Sequence, residues 1–313
     1  MTGIIILNYN GASDTVKCVG SILAFNTAPA KLIIVDNGST RDGETEKLDS
    51  YLSETFADKY QKVAEGDPVT TLAPVTFLAS KTNSGYAGGN NKGLRLAFAD
   101  DEIKDVIILN NDILFTSDII PTLQEVREQV ADPAILTPLL IDRRGKWELN
   151  CARTVPTSWD VILPFLMFKK NKRQILTKRA NQQMMLKQSP ALANERFFEI
   201  GLPSGSFMFL DKALFRELGG FDERTFLYFE ENILCKKIHD KGYRNYCVPV
   251  VKATHIGAAS TLSTPSQFLQ KCSLESADYY ISRFSDASWV DKLVWKWVYL
   301  LWKLKFIVKK HAK

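Results

Sequence analysis

The segment with the clearest chemical potential is Asn110-Asn111-Asp112, which directly follows the apolar run Val106–Leu109. An uninterrupted aliphatic run predicts a strand that is covered on both faces. In open α/β sheets, ligands bind beyond the carboxyl ends of the strands, so Asp112 could hold a divalent cation beside a phosphorylated ligand. Asn and Asp are also typical of ordinary turns, and this segment by itself is compatible with a turn that only ends a strand.

Two adjacent carboxylates, Glu230 and Glu231, follow the aromatic run Phe226–Phe229 and precede a predicted helix, Ile233 to Lys241. A carboxylate at a helix start beside aromatic side chains can be desolvated, as a general base requires. Acidic residues also stabilise helix amino termini without any catalytic role. Both interpretations remain open for this pair.

A glycine-rich segment, Asn83 to Gly93, contains four glycines within nine residues. We predict a loop here, with a helix from about Leu94 to Asp100, because glycine lets a backbone approach a ligand and a helix amino terminus favours an anion. The segment lacks the Lys-Ser or Lys-Thr pair of a Walker loop and the GxGxxG spacing of dinucleotide sites. A glycine-rich turn that only tightens a connection is the alternative.

Buried strands are predicted to position these segments. The runs Gly3–Leu7 and Leu32–Val35 each end in Asn or Asp, and a predicted helix, Asp14 to Phe25, connects them. Strands that alternate with helices form parallel, doubly wound sheets, so we predict an α/β fold whose strand ends share one crevice. The run Ala134–Ile141 contains a proline, which predicts an edge strand.

The composition fits a globular protein. The chain has 313 residues, of which 45% are hydrophobic and 24% charged, so it can bury a sizeable core. Its five cysteines are widely spaced without a CxxC pair, which favours neither a disulfide framework nor a structural zinc site. We therefore expect a cytoplasmic location, and no secretory signal is recognisable at the amino terminus.

Positive charge is concentrated in two segments, although the net charge is only +5. Residues 289–313 carry seven lysines and one aspartate, and residues 164–188 carry seven Lys or Arg without an acid. This distribution favours an anionic membrane surface over a nucleic-acid groove as the partner. Residues 289–310 are too charged for a membrane span but predict an amphipathic helix lying in a membrane surface. A helix that docks on the domain is the alternative.

The motifs in their order resemble a family 2 glycosyltransferase, nearest the bacterial rhamnosyltransferase-like branch. They are NYNG, VDNGST, NSGYAGGNNKG, LNND, PSGSFMFLDKALFRELGGFDE and FLYFEEN, followed by a late His255, and they span roughly residues 3 to 260. The resemblance implies a GT-A fold, a nucleotide-diphosphate sugar donor such as dTDP-rhamnose or a UDP-sugar, a divalent metal (Mg or Mn), and inversion at the anomeric carbon.

The resemblance also implies roles for individual residues. Asp112 matches the metal-binding carboxylate of a DxD-like motif whose first position is Asn110 here, and His255 matches a position that completes the metal site. Glu231 matches the catalytic base, with Glu230 as its neighbour, and Ile233 replaces an acid that the family tends to show. The implied donor-binding residues are Asn8, Asn10, Asp36, Asn83, Gly85, Tyr86, Asn91, Asn110 and Asn111.

The expected organisation is a GT-A domain over residues 1–268 and a basic, membrane-associating helical segment over residues 269–313. Within the first, residues 155–198 are interpreted as a variable insertion that contacts the acceptor or the membrane. The predicted activity is transfer of one sugar to a lipid-linked saccharide acceptor in cell-surface polysaccharide synthesis, at the inner face of the cell membrane. A sugar-nucleotide nucleotidyltransferase and a non-catalytic glycan-binding descendant remain alternatives.

Overall fold

The computed structural model describes residues 1–148, 150–167, 194–257 and 266–311, with side chains through residue 308. The basic run Lys169–Arg173 and most of the predicted 155–198 insertion lie outside the described residues. In chain order the strands are β1 (Thr2–Asn8), β2 (Ala30–Asp36), β3 (Tyr60–Val63), β4 (Val75–Ala79), β5 (Asp105–Asn110), β6 (Ile113–Phe115), β7 (Pro133–Ile141), β8 (Ala152–Arg153), β9 (Phe198–Ile200), β10 (Leu202–Pro203), β11 (Phe207–Asp211) and β12 (Arg244–His255).

The helices are α1 (Ala12–Phe25), α2 (Glu44–Phe56), α3 (Gly85–Ala99), α4 (Ile119–Gln129), α5 (Ser158–Leu166), α6 (Lys212–Glu217), α7 (Glu230–Asp240), α8 (Ser266–Arg283) and α9 (Trp289–His311). No helix in these ranges is both long and apolar enough to cross a bilayer.

A large, mostly parallel sheet forms the centre, in the order β3-β4-β2-β1-β5-β11-β7-β12-β6. The first five strands are parallel, and β11 is antiparallel to both β5 and β7. Helices α1, α2 and α4 contribute to the apolar core on one face, and α3, α6 and α7 to the core on the other. The predicted doubly wound α/β fold is confirmed, and its parallel half carries the strand ends of the candidate site.

Strand β7 is internal to the sheet, so the expectation of an edge strand was wrong. It pairs with β11 at Ile135 and Leu136 and with β12 along most of its length. Pro138, which lacks an N–H donor, lies beyond the last residue that pairs with β11, and the register against β12 shifts just after its partner Val248. The proline therefore interrupts a ladder that has already ended on one side.

The glycine-rich segment forms the first half of α3. The prediction of a loop that precedes a helix at about Leu94 was therefore wrong. The glycines let the helix lie close to the sheet. A Cβ added to Gly89 would lie 2.6 Å from Leu7 Cδ1, and one added to Gly93 would lie 2.6 Å from Ile5 Cγ2. Close packing on β1 thus outweighs the low helix propensity of glycine.

A third apolar cluster joins the carboxyl-terminal helices to the rest of the protein. The indole rings of Trp295 and Trp302 on α9 are buried, and both contact Phe165 of α5 at centroid distances of 5.3 and 6.2 Å. Trp302 Nε1 also donates a hydrogen bond to the Phe165 carbonyl oxygen, at 2.6 Å. Helix α9 therefore docks through its tryptophans.

Candidate active site

The carboxyl ends of β1, β2 and β5 are joined by a buried hydrogen-bond network. Asn8 Nδ2 donates to Asp36 Oδ1 at 2.8 Å, and Asn8 Oδ1 accepts from Asn111 Nδ2 at 3.2 Å and from the Thr15 hydroxyl at 2.9 Å. Asp36 Oδ2 accepts a further hydrogen bond from the Thr45 hydroxyl. Three of the predicted donor-binding residues are thus brought together, and their side chains fix the geometry of the strand ends.

Asn10 shapes the loop that follows β2. Its backbone is in the left-handed region, with φ of 54°, and its Oδ1 accepts from the backbone N–H groups of Thr40 and Arg41 at 2.8 and 2.9 Å. An Asn side chain suits this conformation because it can bond to nearby backbone. Asn10 therefore ties the loop after β1 to the loop after β2 at the rim of the crevice.

Asn37, which sequence reasoning did not single out, anchors the start of α3. Its Nδ2 donates to Asn83 Oδ1 at 3.0 Å and to the Gly85 carbonyl oxygen at 2.9 Å, and its Oδ1 accepts from the Ser84 N–H at 3.1 Å. The predicted donor-binding residues Asn83 and Gly85 are thereby held at the end of β2. The Asp-Asn pair at that strand end was the signal that could have identified Asn37.

Tyr86 links α3 to the segment that follows β10. Its hydroxyl donates a short hydrogen bond to the Gly205 carbonyl oxygen, and its backbone N–H donates to the Phe226 carbonyl oxygen at 2.9 Å. Burial, together with the negative charges of Glu231 and Glu230, raises the pKa of Tyr86 well above its usual value. The hydroxyl is therefore a proton donor at physiological pH, close to the carboxylate pair.

Asn91 lies further along α3 and binds the 220–223 segment. Its Nδ2 donates to the Phe221 carbonyl oxygen at 2.9 Å and to Glu223 Oε1 at 2.8 Å, while its Oδ1 accepts from the Phe221 N–H at 3.0 Å. Both amide hydrogens are thus engaged within the protein. Asn91, which is predicted to bind the sugar donor, therefore uses its side-chain amide to hold the 220–223 segment.

His255, at the end of β12, lies between two carboxylates. Its Nε2 is 3.2 Å from Asp112 Oδ2, and its Nδ1 is 2.7 Å from Glu148 Oε2. Burial lowers the pKa of His255, but the hydrogen bonds to Asp112 and Glu148 outweigh it and raise the pKa to about 10. The imidazole therefore carries a proton on both nitrogens at neutral pH in this arrangement. Glu148 carried no recognisable signal in the sequence.

Asp112 has the features of a cation ligand. The side chain is buried, yet its Oδ1 has no hydrogen-bond partner. An orphaned carboxylate oxygen is costly unless a bound ion or proton satisfies it. Among the described residues, no three His, Cys, Asp or Glu side chains converge as a metal site. The residues present therefore fit a cation that draws its remaining ligands from phosphate and water, as Mg²⁺ commonly does.

The carboxylate pair at the start of α7 divides into two environments. Burial, reinforced by the charge of Glu231, raises the pKa of Glu230 to about 8, and Glu230 Oε1 has no hydrogen-bond partner. Glu231 is half-buried, and its Oε1 lies 3.3 Å from Nη2 of Arg153 on β8. Glu231 is thus the more accessible carboxylate of the pair and is oriented by a guanidinium.

The backbone that leads into α7 is strained. Tyr228 and Phe229 are consecutive bulky residues in the left-handed region, with φ of 76° and 69°. Such conformations cost about 1 to 3 kcal/mol each and concentrate at functional sites. Their occurrence directly before Glu230 and Glu231 shows that the position of these carboxylates is maintained at the expense of local stability.

The turn between β10 and β11 joins the two halves of the site. The Ser206 hydroxyl accepts from Asn110 Nδ2 at 3.3 Å, and the Gly205 carbonyl oxygen accepts from Tyr86. On the other side, the Pro203 carbonyl oxygen accepts from Arg153 Nη2 at 3.0 Å. The 203–206 turn, which includes the last residue of β10, therefore contacts both the strand end next to Asp112 and the Arg153–Glu231 pair.

Comparison with known protein families identifies the family to which this chain belongs. Residues 3–219 match the model of Glycosyl transferase family 2. The chain belongs to this family. Its match covers strands β1 to β11, the strand-end network and the turn at residues 203–206, and it ends before α7 and β12.

Two relatives are similar over most of the chain. One is the "Low-salt glycan biosynthesis hexosyltransferase Agl10" of Haloferax volcanii, 22% identical over 252 residues that cover 80% of this chain and 66% of that protein. The other is the "N-acetylglucosaminyl-diphospho-decaprenol L-rhamnosyltransferase" of Mycobacterium tuberculosis, 25% identical over 272 residues that cover 85% of this chain and 79% of that one. The resemblance to the rhamnosyltransferase-like branch is thereby confirmed.

Solved structures support the GT-A fold. The structure of GalNAc-T7 with UDP, GalNAc and Mn²⁺ superposes with a TM-score of 0.59 at 15% identity and covers 99% of this chain. Staphylococcus aureus TarS superposes with a TM-score of 0.51 at 12% identity and covers 93% of it. This chain spans only 57% and 41% of those proteins, so the likeness concerns the GT-A fold alone.

Proposed function

We propose that the protein is an inverting glycosyltransferase that moves one sugar from a nucleotide-diphosphate sugar, dTDP-rhamnose or a UDP-sugar, to a lipid-linked glycan. The observation that carries this proposal is the 203–206 turn, which contacts a strand end suited to a cation and, through Arg153, a carboxylate suited to a base. Transfer of a sugar requires both groups to flank one reaction centre. A short rigid connection between them meets that requirement.

The donor half of the site is the crevice beyond β1, β2 and β5. Asp112, through its unpartnered Oδ1, would hold Mg²⁺ or Mn²⁺ there, and His255 would join it through Nε2 only after that nitrogen has lost its proton. When bound, such a cation stabilises the negative charge that develops on a departing diphosphate. The strand-end network of Asn8, Asp36 and Asn111 keeps the crevice in shape.

Glu231 supplies the base in this proposal. Its carboxylate accepts the proton of the acceptor hydroxyl while that oxygen forms a bond to the anomeric carbon. The bond from this carbon to the diphosphate oxygen breaks on the opposite face, which inverts the configuration. Arg153 orients Glu231 through an ion pair, and Tyr86 lies close by with a hydroxyl that retains its proton.

The acceptor is proposed to be a saccharide on a lipid carrier, in cell-surface polysaccharide synthesis. The name of the mycobacterial relative specifies a diphospho-decaprenol acceptor for that protein, and that of the archaeal relative specifies glycan biosynthesis. An acceptor with a long apolar chain resides in a membrane. We therefore propose that the enzyme works at the cytoplasmic, inner face of the cell membrane as a peripheral protein.

Two carboxylates that are buried at a cost in folding free energy argue against a non-catalytic descendant of the family. Asp112 Oδ1 and Glu230 Oε1 are both buried without a partner, and neither strengthens the fold. A nucleotidyltransferase remains the rival that shares a metal-assisted α/β site. Its expected basic, glycine-rich loop after the first strand is replaced here by Asn8-Tyr9-Asn10-Gly11, which bears no charge.

The decisive experiment is a screen of nucleotide sugars against a polyprenyl-diphosphate saccharide, in which release of nucleoside diphosphate is measured with Mn²⁺, with Mg²⁺ and with chelator. We expect one donor class to be used, with loss of release in chelator. Glu231→Gln should lower the transfer rate by about 10² to 10⁴ while donor binding is retained. Glu230→Gln, its matched control, should lower the rate less.

Three results would contradict the proposal. Formation of a sugar nucleotide from a sugar phosphate would identify a nucleotidyltransferase. Glycan binding without turnover of any donor would identify a non-catalytic protein. A larger loss for Glu230→Gln than for Glu231→Gln would assign the base to Glu230.

A further inference from the structure

Helix α9 exposes a continuous apolar stripe on the side opposite its docked tryptophans. At 100° per residue, the buried residues Trp295, Val298 and Trp302 share one face. The exposed residues on the opposite face are Leu293, Trp297, Leu300, Leu301, Leu304 and Val308, each between 47% and 68% exposed. Docking on the protein therefore accounts for only one of the two apolar faces of this helix.

Helix α5 lies beside α9 and exposes a second apolar stripe. The Ser158 hydroxyl donates to Asp291 Oδ2 at 2.8 Å, and further along both helices Phe165 contacts Trp302, so the two helices run side by side in the same direction. Trp159, Leu163 and Leu166 have i, i+4, i+7 spacing and are 40%, 43% and 37% exposed. Helices α9 and α5 thus each leave an apolar stripe uncovered, and large exposed apolar patches mark interaction surfaces.

The positive charge beside the apolar stripe of α9 indicates which kind of partner covers that stripe. Residues 289–308 contain four lysines and a single acid, Asp291, and that acid accepts hydrogen bonds from Ser158 and from the Ser288 N–H. Lys292, Lys296 and Lys303 fall on one flank of the apolar stripe. In a two-fold interface a second copy would present the same helix, whose single acid within residues 289–308 is already hydrogen-bonded. An anionic bilayer satisfies both the apolar stripe and the lysines.

We infer that α5 and α9 form a two-helix surface that docks on an anionic lipid bilayer, with the apolar stripes inserted at the interface and the lysines at the headgroups. Interfacial helices combine such an apolar face with flanking lysines, and tryptophan is enriched at the depth of the headgroups. This inference deepens the proposed function. It rests on that function in one respect, because an enzyme that acts on a lipid-linked acceptor has to dock on a membrane.

Helix α8, which packs in the same apolar cluster as α5 and α9, contacts the segment that positions the candidate base. The Ser276 hydroxyl of α8 donates to the Leu227 carbonyl oxygen at 3.0 Å, and the Tyr280 ring lies 5.4 Å from the ring of Phe229. Ile233 of α7 belongs to the same apolar cluster as Trp295 and Trp302. Docking on the bilayer therefore sets the height of Glu231 above the membrane, where a saccharide on a lipid carrier is presented.

Vesicle cosedimentation of the full-length protein tests the inference, with neutral vesicles of phosphatidylcholine and anionic vesicles that also contain phosphatidylglycerol. The wild type should bind the anionic vesicles, and binding should weaken with salt. The lysine variant, with Lys292, Lys296 and Lys303 changed to Gln, should bind about 100-fold more weakly. Its charge-matched control changes Lys17, Lys59 and Lys81 to Gln, on other surfaces, and should bind like the wild type.

Two further variants test the apolar stripes. The α9 stripe variant changes Leu293, Trp297 and Leu304 to Gln, and the α5 stripe variant changes Leu163 and Leu166 to Gln. Both should lose vesicle binding at an unchanged melting temperature, because the altered side chains are exposed. The matched control, Leu23→Gln with Phe25→Gln on the exposed side of α1, should bind normally.

Equal binding by the wild type and the stripe variants would overturn the inference, as would a wild type without preference for anionic vesicles. A concentration-dependent dimer in light scattering that the α9 stripe variant abolishes would assign the surface to a second copy. The vesicles contain neither donor nor acceptor, so these outcomes stand whether or not transfer activity is detected.

Discussion

Replacement of Glu230 by Gln tests the electrostatics of the carboxylate pair through stability. Burial and the neighbouring charge of Glu231 raise the pKa of Glu230 from 4.5 to about 8, so the folded protein holds this proton more tightly than the unfolded chain does. The stabilisation from the protonated form is complete below pH about 4.5 and is lost as the pH rises through about 8. The wild type should therefore lose unfolding free energy across this interval.

The magnitude follows from the size of the shift. Each pKa unit corresponds to about 1.4 kcal/mol, so a shift from 4.5 to about 8 corresponds to a loss on the order of 5 kcal/mol once the pH exceeds 8. Glu230→Gln keeps the shape of the side chain and cannot ionise. Its unfolding free energy should stay level over the same interval, and the difference from the wild type should grow with pH.

The assay is urea denaturation of the wild type and Glu230→Gln at several pH values between 5 and 9. Glu54→Gln, which removes an exposed carboxylate on α2, serves as the control and should follow the wild type. Parallel profiles for the wild type and Glu230→Gln would refute the reasoning, because they would mean that Glu230 ionises freely in the folded protein.

Three other perturbations test separate parts of the structure. Asp112→Ala should abolish Mn²⁺-dependent donor binding in calorimetric titration while the protein stays folded, with a lower melting temperature because the Oδ2 contact with His255 is lost; unchanged affinity would reject Asp112 as a ligand. Glu148→Ala should weaken Mn²⁺ binding, followed by electron paramagnetic resonance with UDP, by about 10 to 100-fold because His255 loses its orienting partner, whereas Glu148→Gln should lose less. Trp302→Ala should lower the unfolding free energy by about 3 to 5 kcal/mol in chemical denaturation; a loss below about 1 kcal/mol would mean that α9 is not docked through this ring.

The strand ends could be predicted from the sequence because their pattern is local. The runs before Asn8, Asp36 and Asn110 are apolar on both faces, which only a covered parallel strand requires, and parallel strands end at a common edge. The structure brings these three strand ends into one network. What the pattern could not supply was the direction of each side chain, so the mutual engagement of Asn8 and Asp36 became visible only in three dimensions.

Helix α3 and strand β7 were misjudged for the same reason. Local propensity opposes glycine in helices and proline in central strands, and in both places tertiary packing decided. Gly89 and Gly93 are required by the proximity of β1, and Pro138 is tolerated because its neighbour on one side has already diverged. Neither the proximity of β1 to α3 nor the divergence of β11 from β7 can be inferred from the sequences of α3 and β7 themselves.

Glu148 and Arg153 could not be predicted because their partners are remote in sequence. Glu148 is 107 residues from His255, and Arg153 is 78 residues from Glu231. Each charged side chain lies in a region without periodic or motif signal. Only the convergence of β8, β10 and β12 on the strand ends gives these residues a place beside the site.

The contact of α8 with residues 222–233 has a consequence for biosynthesis. A ribosome delivers the strand-end network and the 203–206 turn before α8 and α9 exist, so the segment that carries Glu230 and Glu231 is at first without the contacts of α8. The Tyr279 hydroxyl and Asp222, 2.9 Å apart, meet only after the last helices leave the exit tunnel. The segment before α7 is thereby completed only when the last helices have been made, and a chain that ends before α8 would lack this support for Glu230 and Glu231.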